Sequence, residues 1–195
     1  MKAKKFIYFN DCLGKSTLLY GETDTNKTYV TADFVKFLLE SKKINPKDIT
    51  ILDFAPKLTY FKNIKIGGKI EDYYPESVKC NSIKLDDEII PPRFKAQNRK
   101  ELYHNICHNY KITSTILNNF IKNQTQILII NDISIYLHLG SRKYLIELIN
   151  RVKTFFGNTY YGVTITSKFD KLFNLKEKYD VEFLIKNVDK SYFTQ

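Results

Sequence analysis

Short apolar runs alternate with amphipathic stretches along this chain, and that alternation restricts the fold more than any other feature of the sequence. Residues 4–9, 48–56 (DITILDFAP), 126–132 (QILIIND), 160–167 (YYGVTITS) and 181–187 (VEFLIKN) read as strands. Between them, residues 31–43, about 97–122, 141–156 (with Ser141 as N-cap) and 168–178 carry apolar side chains at helical spacing. Residues 57–96 form an irregular insert, broken by Gly67-Gly68 and Pro91-Pro92, with a short strand pair expected around 63–66 and 78–84. Apolar strands separated by amphipathic helices predict an α/β fold of three layers, a mostly parallel central sheet covered by helices on both faces. In such sheets ligands sit outside the carboxyl ends of the strands.

A chain of 195 residues can bury a sizeable core without disulfides and is expected to form a single domain over 1–195. Cys12, Cys80 and Cys107 are odd in number and widely spaced, which excludes a disulfide framework. No apolar run is long enough to span a bilayer, and residues 1–5 lack the pattern of a secretory signal; the expected location is the cytoplasm. The net charge of +10 comes almost entirely from scattered lysines, so it permits binding to phosphates or nucleic acid without demonstrating it.

Candidate chemistry falls at strand ends. Gly14-Lys15-Ser16-Thr17 follows the apolar run Phe6–Phe9 and has the ending of a phosphate-binding loop. Phosphate binding needs backbone N–H groups in a concave loop, a lysine for the β/γ-phosphates and a hydroxyl for Mg²⁺. Lys15 and Ser16 supply the last two, Leu13 and Gly14 the loop, and Thr17 would open a helix whose positive end faces the phosphates. The loop departs from G-x-x-x-x-G-K-[ST] at its start, where Phe9 stands in place of the first glycine and Asp11 brings a negative charge.

On these residues the chain resembles the P-loop NTPases, with a degenerate Walker A segment, FNDCLGKST. In its lysine-rich style, with Pro-Pro-Arg before a long helix and IND after it, it is similar to an uncharacterised archaeal P-loop family. ILIIND resembles the Walker B strand, with Asp132 holding Mg²⁺ alongside Ser16 and Asn131 orienting a water. Asp53, at the end of ILDFAP, would orient water or serve as a second carboxylate, although Pro56 stands where the relatives have glycine. Ser167-Lys168-Phe169-Asp170 approximates the guanine-binding element of GTPases, with Asp170 on the base; S-x-x-D is equally a helix-capping pattern.

The resemblance implies a slow Mg²⁺-dependent ATPase or a nucleotide-gated switch, with ATP favoured over GTP and catalytic roles for Lys15, Asp132, Asp53 and Asn131. Two alternatives remain open. One is a GTPase using SKFD. The other is a non-catalytic module that binds nucleic acid or protein through its basic surface, where Tyr60-Phe61 and Tyr73-Tyr74 lie among Lys57, Lys62, Lys65 and Lys69. Arg93, stiffened by two prolines, could contact transferred phosphate, and His104, Cys107 and His108 share a helical face suited to a metal. Oligomeric state is left open.

Overall fold

The computed structural model describes residues 7–61, 64–83, 85–163 and 171–195. After a 3-10 turn at Phe9–Cys12, the order is β1 (Ser16–Gly21), α1 (Lys27–Lys36, extended by a π turn to Ser41), β2 (Ile49–Asp53), and a hairpin of β3 (Thr59–Phe61) and β4 (Ile64–Ile66). There follow α2 (Ile70–Tyr73), β5 (Asn81–Ser82), α3 (Pro92–Lys95), α4 (Arg99–Lys122), β6 (Ile127–Asn131), α5 (Ser134–Leu137), α6 (Arg142–Ile149), β7 (Thr154–Tyr160), α7 (Lys171–Asn187) and β8 (Lys190–Thr194). One six-stranded sheet has the order β5-β2-β6-β7-β1-β8, and every ladder in it is parallel.

Parallel strands need crossovers, and here the crossovers cover both faces. Successive side chains of a strand point to opposite faces, so each strand feeds two cores. Leu18, Leu52, Leu128, Ile130 and Phe155 pack with α4, α5, α6 and α7. Leu19, Ile49, Ile51, Ile127, Ile129 and Phe156 pack with α1 and the turn at Phe9–Cys12. The expected three-layer α/β architecture is what the chain adopts.

Several local expectations are corrected. Ile7 and Tyr8 belong to no strand, and Phe9 lies in the 3-10 turn. The first strand instead starts at Ser16, and its buried register, Thr17, Leu18 and Leu19, runs through the segment expected to be loop and helix start. The helix capped by Ser141 stops at Ile149, because Thr154, Phe155 and Phe156 form the start of β7. Residues 181–187 belong to α7, where Val181 and Leu184 are buried one turn apart, and the last strand lies at Lys190–Thr194. The expected strand pair becomes the β3–β4 hairpin, while β5 joins the main sheet beside β2.

The Phe156 ring is fully buried and stacks on Phe34, with centroids 4.2 Å apart at 17°. Phe156→Ala is expected to lower unfolding free energy by about 3–5 kcal/mol, the usual loss for truncating a buried phenylalanine. Urea denaturation of the variant checks it.

Candidate functional site

Gly14 and Lys15 are exposed and sit before β1, at the opposite end of the sheet from its carboxyl edge. The Gly14 N–H donates to Thr154 Oγ1, 2.9 Å, at the start of β7. Ser16 opens β1; its N–H and hydroxyl both donate to Asp189 Oδ2, at 2.8 and 2.9 Å. Thr17 is buried inside the strand rather than at a helix start. Neither Lys15 nor Ser16 therefore reaches a strand's carboxyl end or a helix N-terminus, which corrects the expected phosphate loop, and Ser16 is remote from Asp132 as a metal partner.

A strand–loop–helix unit does occur one strand later. Residues 21–28, Gly-Glu-Thr-Asp-Thr-Asn-Lys-Thr, connect the carboxyl end of β1 to α1. They match G-x-x-x-x-G-K-[ST] at Gly21, Lys27 and Thr28, with Asn26 replacing the second glycine. A Cβ on Gly21 would lie 2.3 Å from the Thr194 carbonyl oxygen, so β8 allows only glycine there. Asp24 and Asn26 hold φ of 57° and 59°, a left-handed geometry that Asn and Asp adopt more easily than other side chains. Among the described residues no side chain caps the N-terminus of α1, so no cap occupies its first amides.

Lys27 folds back over its own loop, donating to the Glu22 carbonyl and to Thr25 Oγ1. Burial pushes its pKa down to about 8, against the pull of Asp132, Glu22 and Asp24. Thr28 donates its hydroxyl to Asn131 Oδ1, 3.2 Å. That bond uses the hydroxyl proton and leaves its oxygen lone pairs for another partner.

The two strands that carry the loop and the acidic turn are separated by β7, and Asn158 of β7 joins them. Its Nδ2 donates to Thr31 Oγ1 of α1 (2.9 Å) and to Asn131 Oδ1 (2.8 Å). Its Oδ1 accepts the Asp132 N–H at 3.1 Å, and its carbonyl accepts the Ile133 N–H at 2.9 Å. Asp132 itself is held at φ 57°. Burial raises its pKa; Ser134, whose hydroxyl donates to Oδ1 at 2.6 Å, lowers it, Glu177 raises it further, and Lys27 and His138 lower it.

Asn131 and Asp53 are committed elsewhere. The Asn131 amide donates to Asp53 Oδ1 (2.8 Å) and Gly68 O (3.1 Å). Asp53 also accepts from the Ile70 and Ala55 N–H groups and pairs with Lys69 at 3.6 Å. Burial raises its pKa, and Lys69, Ile70, Asn131 and Ala55 oppose that rise. Asp170 and the rest of SKFD lie outside the described residues. Among the described residues no group of three or more His, Cys, Asp and Glu could hold a metal; His108, from the expected helical cluster, instead contacts the Glu88 carbonyl at 2.9 Å.

Loop 23–29, Asp132, Ser134, His138, Asn158 and Tyr160 line one cleft of about 900 Å³, counting its open mouth. Lys65, Tyr73 and Arg93 complete its walls. Neither a protein-family model nor a curated protein sequence matches this chain. A solved structure of the Pif1 helicase from Candida albicans is similar to it at a TM-score of 0.37 and 14% identity; the match covers 93% of this chain and 36% of the helicase chain. The chain therefore spans about a third of that protein's length.

The Lys27 value of about 8 has a consequence for stability. An unfolded lysine keeps its proton to about pH 10.4, so between the two values the unfolded chain binds more protons and stability rises with pH. Relative to Lys27→Met, the wild type is expected to gain up to about 3 kcal/mol across that window, at 1.36 kcal/mol per pH unit. Paired denaturation curves at pH 7.5 and 10 measure it.

Proposed function

We propose that the chain binds a Mg²⁺–nucleoside triphosphate, ATP in preference to GTP, on loop 21–28 and hydrolyses it slowly. The observation that carries this reading is the uncapped start of α1, with Lys27 and Thr28 in its first turn, facing Asp132 across one cleft at the carboxyl edge of a parallel sheet. Backbone amides and the Lys27 ammonium would take the β- and γ-phosphates. The Thr28 hydroxyl oxygen and the Asp132 carboxylate are hard oxygen donors, the type Mg²⁺ takes alongside substrate phosphates and water, and they would hold the ion there. Bound in that place, Mg²⁺ would supply charge neutralisation on the phosphates.

The arrangement also supports a slow rate as the reading's expectation. Asn131, the residue hydrogen-bonded to Thr28, is a neutral amide rather than a carboxylate, so the ion would be held by one fewer charge. Asp53 and Asn131 are both consumed by structural hydrogen bonds, which leaves neither to orient the attacking water. Phosphoryl transfer would then rest on positioning and electrostatics.

The basic-aromatic insert gives less support to a nucleic-acid module. Lys57 pairs with Glu88, Lys65 with the Tyr73 hydroxyl and ring, and Lys69 with Asp53, while Lys62 lies outside the described residues.

Titration calorimetry with Mg·ATP is expected to give micromolar binding, about −8 kcal/mol. Asp132→Asn should cut turnover about 100-fold, in the range seen when a group acting at the transition state is lost. A folded wild type that gives no heat with Mg·ATP or Mg·GTP overturns the reading.

A further inference from the structure

The hydrolysis reading leaves the attacking water without a partner, and a buried histidine behind the acidic turn has an unused nitrogen. His138 follows α5, has a side chain only 2% exposed, and lines the same cleft as Asp132 and Lys27. Its Nε2 lies 3.4 Å from Glu177 Oε2 on α7. Among the described residues neither ring nitrogen makes a hydrogen bond, so Nε2 meets Glu177 only at that ion-pair distance, and Glu177 Oε1 is likewise without a partner. A buried polar atom without a partner costs stability, so an imidazole kept in this state on a cleft wall points to a ligand or water that completes it.

The same Oε2 of Glu177 also accepts from Arg93 of α3, whose guanidinium side chain is 8% exposed and lies 5.9 Å from the Tyr160 ring centroid. Burial pushes the Glu177 carboxyl up, but Arg93 and His138 together outweigh it and hold the group below the usual carboxylate range. An ionised Glu177 at Nε2 favours the tautomer with its proton on that nitrogen, which makes Nδ1 an acceptor. A carboxylate orienting an imidazole in this way is the arrangement that prepares histidine for proton transfer. Asp132 stands within electrostatic reach of both Lys27 and His138, and all three line the one cleft.

We propose that His138, oriented by Glu177, is the residue that orients the attacking water beside the terminal phosphate and accepts its proton. The inference rests on the nucleotide reading above. The water oxygen bonds to the γ-phosphorus as the bond to the β–γ bridging oxygen breaks. The nucleoside diphosphate leaves with that electron pair, and the proton moves from water to Nδ1 and then to the released phosphate. Glu177 and Arg93 act through the imidazole and are positioning residues.

The chain holds three histidines, so long-range ¹H–¹⁵N spectra of the imidazoles test this directly, with His104→Gln and His108→Gln used for assignment. The expected result is that the His138 nitrogens shift with Mg·ATPγS and stay in place with Mg·ADP, while His104 and His108 respond to neither. His138→Asn is expected to lower kcat about 100-fold with Mg·ATPγS affinity kept within about threefold. If both nucleotides bind and the His138 nitrogens respond to them alike, or His138→Asn turns over at the wild-type rate, this inference falls and the nucleotide site stands. If neither nucleotide binds, both readings fall.

Discussion

The side-chain amide of Asn158 is the joint on which the carboxyl edge of this sheet depends. Fully buried on β7, it bonds at once to Thr31 of α1, to Asn131 at the end of β6, and to the Asp132 N–H. A β-sheet ladder can set the spacing of β1, β7 and β6, but it cannot fix how a helix start faces an acidic turn two strands away. One amide with two donors and an acceptor does so. Losing it would leave the Asp132 N–H without its partner, at about 1–3 kcal/mol, while Asn131 Oδ1 would keep the Thr28 hydroxyl and the Thr31 hydroxyl would keep the Lys27 carbonyl.

From that joint polar interactions run outward in two directions, by hydrogen bonds on one side and by charge on the other. On one side Asn131 passes its amide to Asp53 and Gly68, tying β2 and the loop before α2 to the same point. On the other, Asp132, His138, Glu177 and Arg93 form a chain of charged and polar groups that ends on α7 and α3. The residues that surround the cleft are thus connected through the sheet's end rather than hung on independent loops. Such a connected, water-poor arrangement makes each charge matter more than it would in solvent.

The layer architecture was legible because ILII, and ITIL with its one threonine, are short apolar runs each ended by a polar residue, as strands buried on both faces read. The acidic residue after β6 and the long helix, expected at about 97–122 and found at Arg99–Lys122, were legible from local pattern as well. The loop was not. β1 begins with Ser16 and Thr17, whose polar side chains hid a buried strand, and Gly14-Lys15-Ser16-Thr17 offered a more familiar match that runs into its start. The loop that follows carries Asn26 where the pattern has glycine, so Lys27 and Thr28 lacked their usual signature. The usable signal was Gly21 five residues before Asn26, together with asparagine's tolerance of a left-handed backbone, realised here at φ 59°. His138 and Glu177 lie 39 residues apart, and no spacing rule could have joined them.

The central claim is that phosphate chemistry belongs to the carboxyl end of β1 and not to the segment before it. The most direct measurement is a side-by-side titration of Lys15→Ala and Lys27→Ala with Mg·ATP, both variants shown to be folded by circular dichroism. The account predicts wild-type affinity for Lys15→Ala and a loss of at least about 100-fold, or about 2.7 kcal/mol, for Lys27→Ala. The reverse pattern, with Lys15→Ala losing affinity and Lys27→Ala keeping it, would contradict it.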